Sequence, residues 1–111
     1  MASYLITGAS RGLGLAMVEV LLEQSPESVF QVIATFREES ASLKNLVQKH
    51  QSRLFLIHMN VMDEESIRQA VKQTEEVTKN SLDILINNAG VQPSTPEGGV
   101  AAMYVCFLCF V

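Results

Sequence analysis

At 111 residues, with 48% hydrophobic and 18% charged side chains, the chain has room for one domain with its own core and is too apolar to be disordered. A net charge of −4 leaves no basic block to meet nucleic acid or an anionic membrane, so an anion site must be local. The opening Met1-Ala2-Ser3-Tyr4 has neither a basic leader nor a cleavable apolar stretch, and a cytoplasmic protein without a membrane span is expected.

The apolar run from Tyr4 to Thr7 predicts a short buried strand that breaks into Gly8-Ala9-Ser10-Arg11-Gly12-Leu13-Gly14. Gly8 has no Cβ to forbid positive φ, so the chain can turn sharply there. Gly12 leaves the backbone open to a phosphate just where the first N–H groups of the next helix are unpaired, at the positive end of its dipole. Gly14 lets that helix lie close on the strand. The helix is predicted from about Gly12 to Gln24, with Leu13, Met17, Val20 and Leu21 on one face and Leu15, Val18 and Leu22 widening it. A surface so nearly apolar all round is expected to be buried against a sheet, and Ser25-Pro26 ends the helix.

Val29 to Thr35 is a β-branched and aromatic run read as the second strand, and Arg37 follows at once. In a dinucleotide fold an acid at this point would hold the ribose 2′-hydroxyl of NAD, whereas an arginine suits the 2′-phosphate of NADP. Arg11 can lie on the same side. The competing reading leaves both arginines on solvated loops, with Glu38 or Glu39 pairing Arg37. From Glu39 to about His50, Leu43, Leu46, Val47 and His50 fall at helical spacing with Lys44 and Lys49 outside, and His50 reads as a helix-end cation.

Arg53 to His58 predicts the third strand and Met59-Asn60-Val61 the loop at its carboxyl end. Asp63 caps a third helix, with Glu64 and Glu65 in its first turn and Lys79 in its last, as the dipole favours. Ile67, Ala70, Val71, Thr74 and Val77 mark its buried face. Leu82 to Ile86 is the fourth strand and runs into Asn87-Asn88-Ala89-Gly90. Strands alternating with helices dictate a parallel sheet with right-handed crossovers in the order 3-2-1-4, and a ligand is expected outside the carboxyl ends, between strands one and four.

Two of these stretches carry a resemblance. Thr7 to Gly14 is similar to the T-G-x-x-x-G-x-G of the short-chain dehydrogenase/reductase family, and N-N-A-G at the end of the fourth strand is a second hallmark of the same family. The likeness covers Ser3 to Val91 and implies an α/β, Rossmann-like doubly wound sheet in three layers, of which only the first half is present. Residues 1–91 would form an NADP-binding half-domain. Thr7 to Gly14 together with Ala34-Thr35-Phe36-Arg37 looks most like the carbonyl-reductase and C-factor-like branch.

The resemblance implies the NADP(H)-binding portion of an oxidoreductase acting on carbonyl or alcohol substrates. Its cofactor residues would be Gly8, Ser10, Arg11, Gly12, Leu13, Gly14, Arg37, Asn60, Val61, Asn88, Ala89 and Gly90. Members that use NADP often carry a basic residue just before the middle glycine and another just after the second strand, the places of Arg11 and Arg37. The loop after the third strand usually holds an aspartate that meets the adenine amino group. Asn60 stands there, with an amide oxygen that can still accept. The amides of N-N-A-G can brace the loop between adjacent strands, while Ala89 and Gly90 leave room for a ribose.

After Val91 the pattern stops. Residues 92–111 read as a breaker-rich linker, Gln92 to Gly99, and an apolar tail, Val100 to Val111, too short to span a bilayer as a helix. Cys106 and Cys109 lie inside that tail, not at a strand-to-helix turn, so their C-x-x-C spacing reads as accidental, and no metal site is expected. The tail, uncharged and without proline, is expected to stay exposed and drive self-association.

The family's catalytic serine and Y-x-x-x-K pair are absent, since Tyr4 is followed four residues on by Gly8 and Tyr104 by Leu108. No catalytic residue is assigned. The expectation is a C-terminally truncated member, inactive as it stands, whose full-length relative takes a small carbonyl substrate. The alternative is a non-enzymatic nucleotide-binding or regulatory module that pairs with a full-length partner.

Overall fold

Along β2 (Val29–Phe36) successive side chains go to opposite faces of a sheet, and both faces are dry: Val32 and Ala34 are buried on one side and Ile33 on the other. A strand apolar on both faces needs helices on both faces. The computed structural model, which describes residues 2–79 and 81–89, supplies them. The other strands are β1 (Ala2–Ile6), β3 (Leu54–His58) and β4 (Ile84–Ile86), and the helices are α1 (Gly12–Glu23), α2 (Ala41–Lys49) and α3 (Glu64–Thr78). All strand pairs are parallel, in the order β3-β2-β1-β4. Register sets Leu5 beside Ile33 and Leu85, and Ile33 beside Phe55.

Two clusters fill the spaces between layers. Ile6, Val18, Leu22, Val32, Ala34, Leu43 and Leu54 pack between the sheet and the α1/α2 layer. Leu5, Ile33, Ile57, Met59, Ile67 and Ala70 pack beneath α3. The expected three layers and strand order are therefore present. Among the described residues no helix is long and apolar enough to cross a membrane.

Several local expectations change. Helix α1 is not buried all round: Gly14, Val18 and Leu22 face the sheet, while Leu13 is 70% and Val20 56% exposed. Its apolar outer face has no cover among the described residues. Helix α2 begins later than Glu39, because Ser40 is its N-cap and accepts the Leu43 N–H at 3.2 Å. Asp63 caps α3 as expected, accepting from Glu65 N and Ser66 N, but Lys79 lies just past the last turn as a left-handed C-cap with φ 54°.

Arg53 precedes β3 rather than opening it. Its guanidinium donates to the carbonyls of Leu22 at 3.1 Å and of Gln24 and Val29 at 2.9 Å each. Carbonyls at a helix C-terminus have no partner of their own, so this one side chain closes α1 and ties it to the start of β2. Strand β4 is shorter than the apolar run that predicts it. Asp83 extends its pairing from the side chain, with Oδ2 accepting from Ser3 N at 2.8 Å while Asp83 N donates to Ser3 O at 3.1 Å.

Candidate functional site

The glycine-rich turn between β1 and α1 is tied to the strands on either side of it. Towards β4, Thr7 N donates to Ile86 O at 3.1 Å, Thr7 Oγ1 accepts from Asn88 N at 3.0 Å and Ala89 N at 2.9 Å, and Asn88 Nδ2 donates to Gly8 O at 3.1 Å. Towards β2, Ala9 N donates to Thr35 O at 2.9 Å and Ser40 Oγ to Ser10 O at 2.6 Å. The amide of Asn88 thus braces the turn, as N-N-A-G suggests. Thr7 receives two backbone N–H groups of the same tetrapeptide, a role the sequence did not announce.

Three places in the turn call for glycine, two of them for want of space. Gly8 has φ +67°, and a Cβ there would lie 2.8 Å from Ala89 Cα. A Cβ on Gly14 would collide with the carbonyl oxygen of Gly8 and lie 2.6 Å from Asn88 Nδ2, so α1 starts hard against the turn. Gly12 has φ +61°, which strains any side chain, although a Cβ there would meet only open space. Arg11 occupies the N-cap position of α1 without a side-chain cap bond, and no acid stands in the first turn. The first amides of α1 are therefore left to an incoming anion.

This turn forms one wall of a cleft of about 670 Å³ at the carboxyl ends of the strands. Gly8, Ser10, Arg11 and Gly12 come from the turn, Arg37 to Ser40 from the exit of β2, Met59 to Val61 from the exit of β3, and Asn88 and Ala89 from the exit of β4. Such a volume is ordinary for a cofactor cleft. Nine of the residues predicted from sequence meet here: Gly8, Ser10, Arg11, Gly12, Arg37, Asn60, Val61, Asn88 and Ala89.

Leu13 and Gly14 do not line the cleft. Gly14 is buried beneath the turn, and Leu13 belongs to an apolar groove of about 300 Å³ on α1 with Met17, Val20 and Ile86. Gly90, the linker, the tail and both cysteines lie outside the described residues.

Arg11 and Arg37 are exposed and make no ion pair with a described residue; Arg68 with Glu64, at 2.7 Å on α3, is the ion pair found there. Glu38 and Glu39 line the same cleft without pairing Arg37, so both guanidinium groups remain open to an anion. Asn60 is partly engaged: its Oδ1 accepts from Met62 N at 3.0 Å and its own N–H donates to Ser66 Oγ at 2.8 Å. An amide oxygen has a second lone pair, so it can still meet an amino group. Among the described residues no group of His, Cys, Asp and Glu could hold a metal ion.

Sequence reasoning overlooked Ser40, Glu38, Glu39 and Met59 as cleft residues. A serine just before an apolar-periodic stretch is an N-cap signal, and it would have located Ser40 at the start of α2. Nothing in the spacing points from Ser40 to Ser10.

A family model described as short chain dehydrogenase matches residues 3–103, running past Val91 into the stretch read as linker and tail. Oxidoreductase BOA17 of Botryotinia fuckeliana is 42% identical over 88 residues, which are 78% of this chain and 30% of that protein. Norsolorinic acid ketoreductase of Aspergillus parasiticus is 33% identical over 90 residues, or 79% of this chain and 33% of that protein. Among solved structures, the NADPH-bound carbonyl reductase from chicken fatty liver superposes with a TM-score of 0.79 at 33% identity, covering 99% of this chain and 45% of that one. Carbonyl reductase Sniffer of D. melanogaster gives 0.79 at 27% identity, covering 99% and 49%. The chain thus spans about a third of these curated relatives and just under half of these structures.

Proposed function

Because the chain belongs to the short-chain dehydrogenase family, we propose that its cleft binds a nicotinamide dinucleotide and prefers NADP(H), as the cofactor-binding portion of an oxidoreductase for carbonyl or alcohol substrates. One observation carries the preference: two exposed arginines from different elements, Arg11 and Arg37, line a single cleft and neither is paired by an acid among the described residues. In this reading the open N-terminus of α1 at Gly12 holds the pyrophosphate, and Arg11 with Arg37 clasps the 2′-phosphate. Asn60 and Val61 border the adenine, and Asn88 and Ala89 the nicotinamide ribose. The likeness of the whole fold to an NADPH-bound carbonyl reductase supports the cofactor class.

When bound, the nicotinamide supplies or accepts hydride. The residues here bind and orient it, but none of them delivers a proton to a substrate oxygen, since the Ser and Tyr-x-x-x-Lys set is missing from the sequence. This chain alone is accordingly proposed to reduce no carbonyl. A cytoplasmic location and self-association through residues 100–111 belong to the same proposal. The second reading is a nucleotide-binding module that acts through a full-length partner. A folded, saturable, non-reducing monomer would favour that second reading.

Fluorescence titration tests the cofactor. NADPH is expected to bind about tenfold tighter than NADH, a reduced share of two charge-assisted contacts because both arginines are exposed to solvent. Arg37→Ala should remove most of that difference without changing stability. Equal affinities in the native chain overturn the NADP reading, and turnover of NADPH with a reactive quinone, after contaminating reductases are excluded, overturns the inactivity.

A further inference from the structure

We propose that Ser40 is a positioning residue for cofactor selectivity, its one hydroxyl locking the loop that carries Arg11 to the loop that carries Arg37. The inference rests on the NADP(H) reading and extends it to a residue that does not itself need to touch the nucleotide. Ser40 Oγ donates to Ser10 O at 2.6 Å and accepts from Leu43 N at 3.2 Å. A hydroxyl can do both at once, because it has one hydrogen and two lone pairs; a carboxylate can only accept, and alanine or glycine can do neither. Ser10 is the residue before Arg11 and Ser40 lies three after Arg37, and all four line the cleft.

The other bond from the turn to β2, Ala9 N to Thr35 O, fixes only the root of the turn. Beyond Ala9, Ser40 is the side chain that joins these two loops among the described residues. The join restrains the loops that carry two like charges lining one cleft, whose mutual repulsion across water is weak but favours no converged arrangement. A phosphate held by both arginines needs them converged beforehand, and ordering them on binding would cost affinity. NADH has no 2′-phosphate and calls on the pair much less.

A helix cap alone would explain the Leu43 bond but not the Ser10 bond, and three variants separate the two. Glycine is nearly as good an N-cap as serine, so Ser40→Gly keeps α2 while removing the join. Ser40→Ala removes both, and Ser40→Thr preserves both. In the full chain, Ser40→Gly and Ser40→Ala are expected to weaken NADPH about fivefold, the size of one neutral hydrogen bond, and NADH less than twofold, with Ser40→Thr near native.

Hydrogen exchange without nucleotide gives an independent readout. The amide of Leu15, which donates to Arg11 O at 3.4 Å, should exchange about fivefold faster in Ser40→Gly, while those inside α2 keep their protection. A native preference for NADPH that survives in Ser40→Gly, or a Ser40→Thr that behaves like Ser40→Ala, overturns the selectivity role alone. A native chain that binds neither nucleotide overturns the cofactor reading and this role with it.

Discussion

Strand β1 has two very different neighbours. On one side β2 runs for eight residues, buried except at Phe30 and at its Phe36 end, with helices above and below. On the other, β4 pairs over only three residues, and Ile84 is 38% exposed. Their sequences do not foretell this, since Leu82 to Ile86 is nearly as apolar as the middle of β2. The β2 flank is held by burial. The β4 flank is held by a few directed bonds: Asp83 to Ser3, Asn88 to Gly8, and Thr7 to the amides of Asn88 and Ala89. On this side Leu82, Leu85 and Ile86 are only partly buried against the two clusters, and Leu13 and Val20 of α1 stay exposed. A hydrophobic pattern records the surroundings a strand is suited to, and a single sheet can satisfy it on one flank and leave it unmet on the other.

Gly14 is where the two flanks meet, and changing it should have the largest effect. Gly14→Ala drives a Cβ into the Gly8 carbonyl and against Asn88, and a loss of about 3 kcal/mol in urea unfolding is expected, the upper end of overpacking costs. If Gly14→Ala proves neutral, α1 does not start against the turn and the two flanks are not joined there.

The next test asks whether directed bonds on the β4 side do the work that burial does on the other. Asn88→Ala leaves the Gly8 oxygen without its donor and should cost about 2 kcal/mol. Val18→Ala, in the cluster between α1 and the sheet, should cost about the same through a lost methyl pair and the space left behind. Denaturant midpoints that fall for Val18→Ala but not for Asn88→Ala would show that the β4 flank contributes little to stability. The smallest effect belongs to α1's outer face: Val20→Ala, at a site 56% exposed, should change stability by less than about 0.5 kcal/mol. A loss as large as that of Val18→Ala would mean that the outer face is covered.

Much of the cleft could be read before any fold was seen, because its glycines and arginines sit at the ends of strands and those ends are marked by changes of period. The sequence reading went astray where it took apolar character for burial. Leu13 stands on a helix read as buried, yet it is 70% exposed and its side chain lines the groove with Met17 and Ile86. Arg53 counted as part of a strand, yet it acts as a clamp on three carbonyls.

What the sequence determined by itself is the order of elements, the parallel sheet that alternation demands, and the meeting of Gly8, Arg11, Arg37 and Asn88 at one edge. All of these follow from periods and turns within a few neighbouring residues, together with the fixed hand of the crossover. Only the tertiary structure decided that Ser40 holds Ser10 across 30 residues, that Asn88 reaches Gly8 across 80, and which side of α1 is packed. Those outcomes depend on strand register and on the direction of single side chains, and a one-dimensional pattern does not contain either until the strands are side by side.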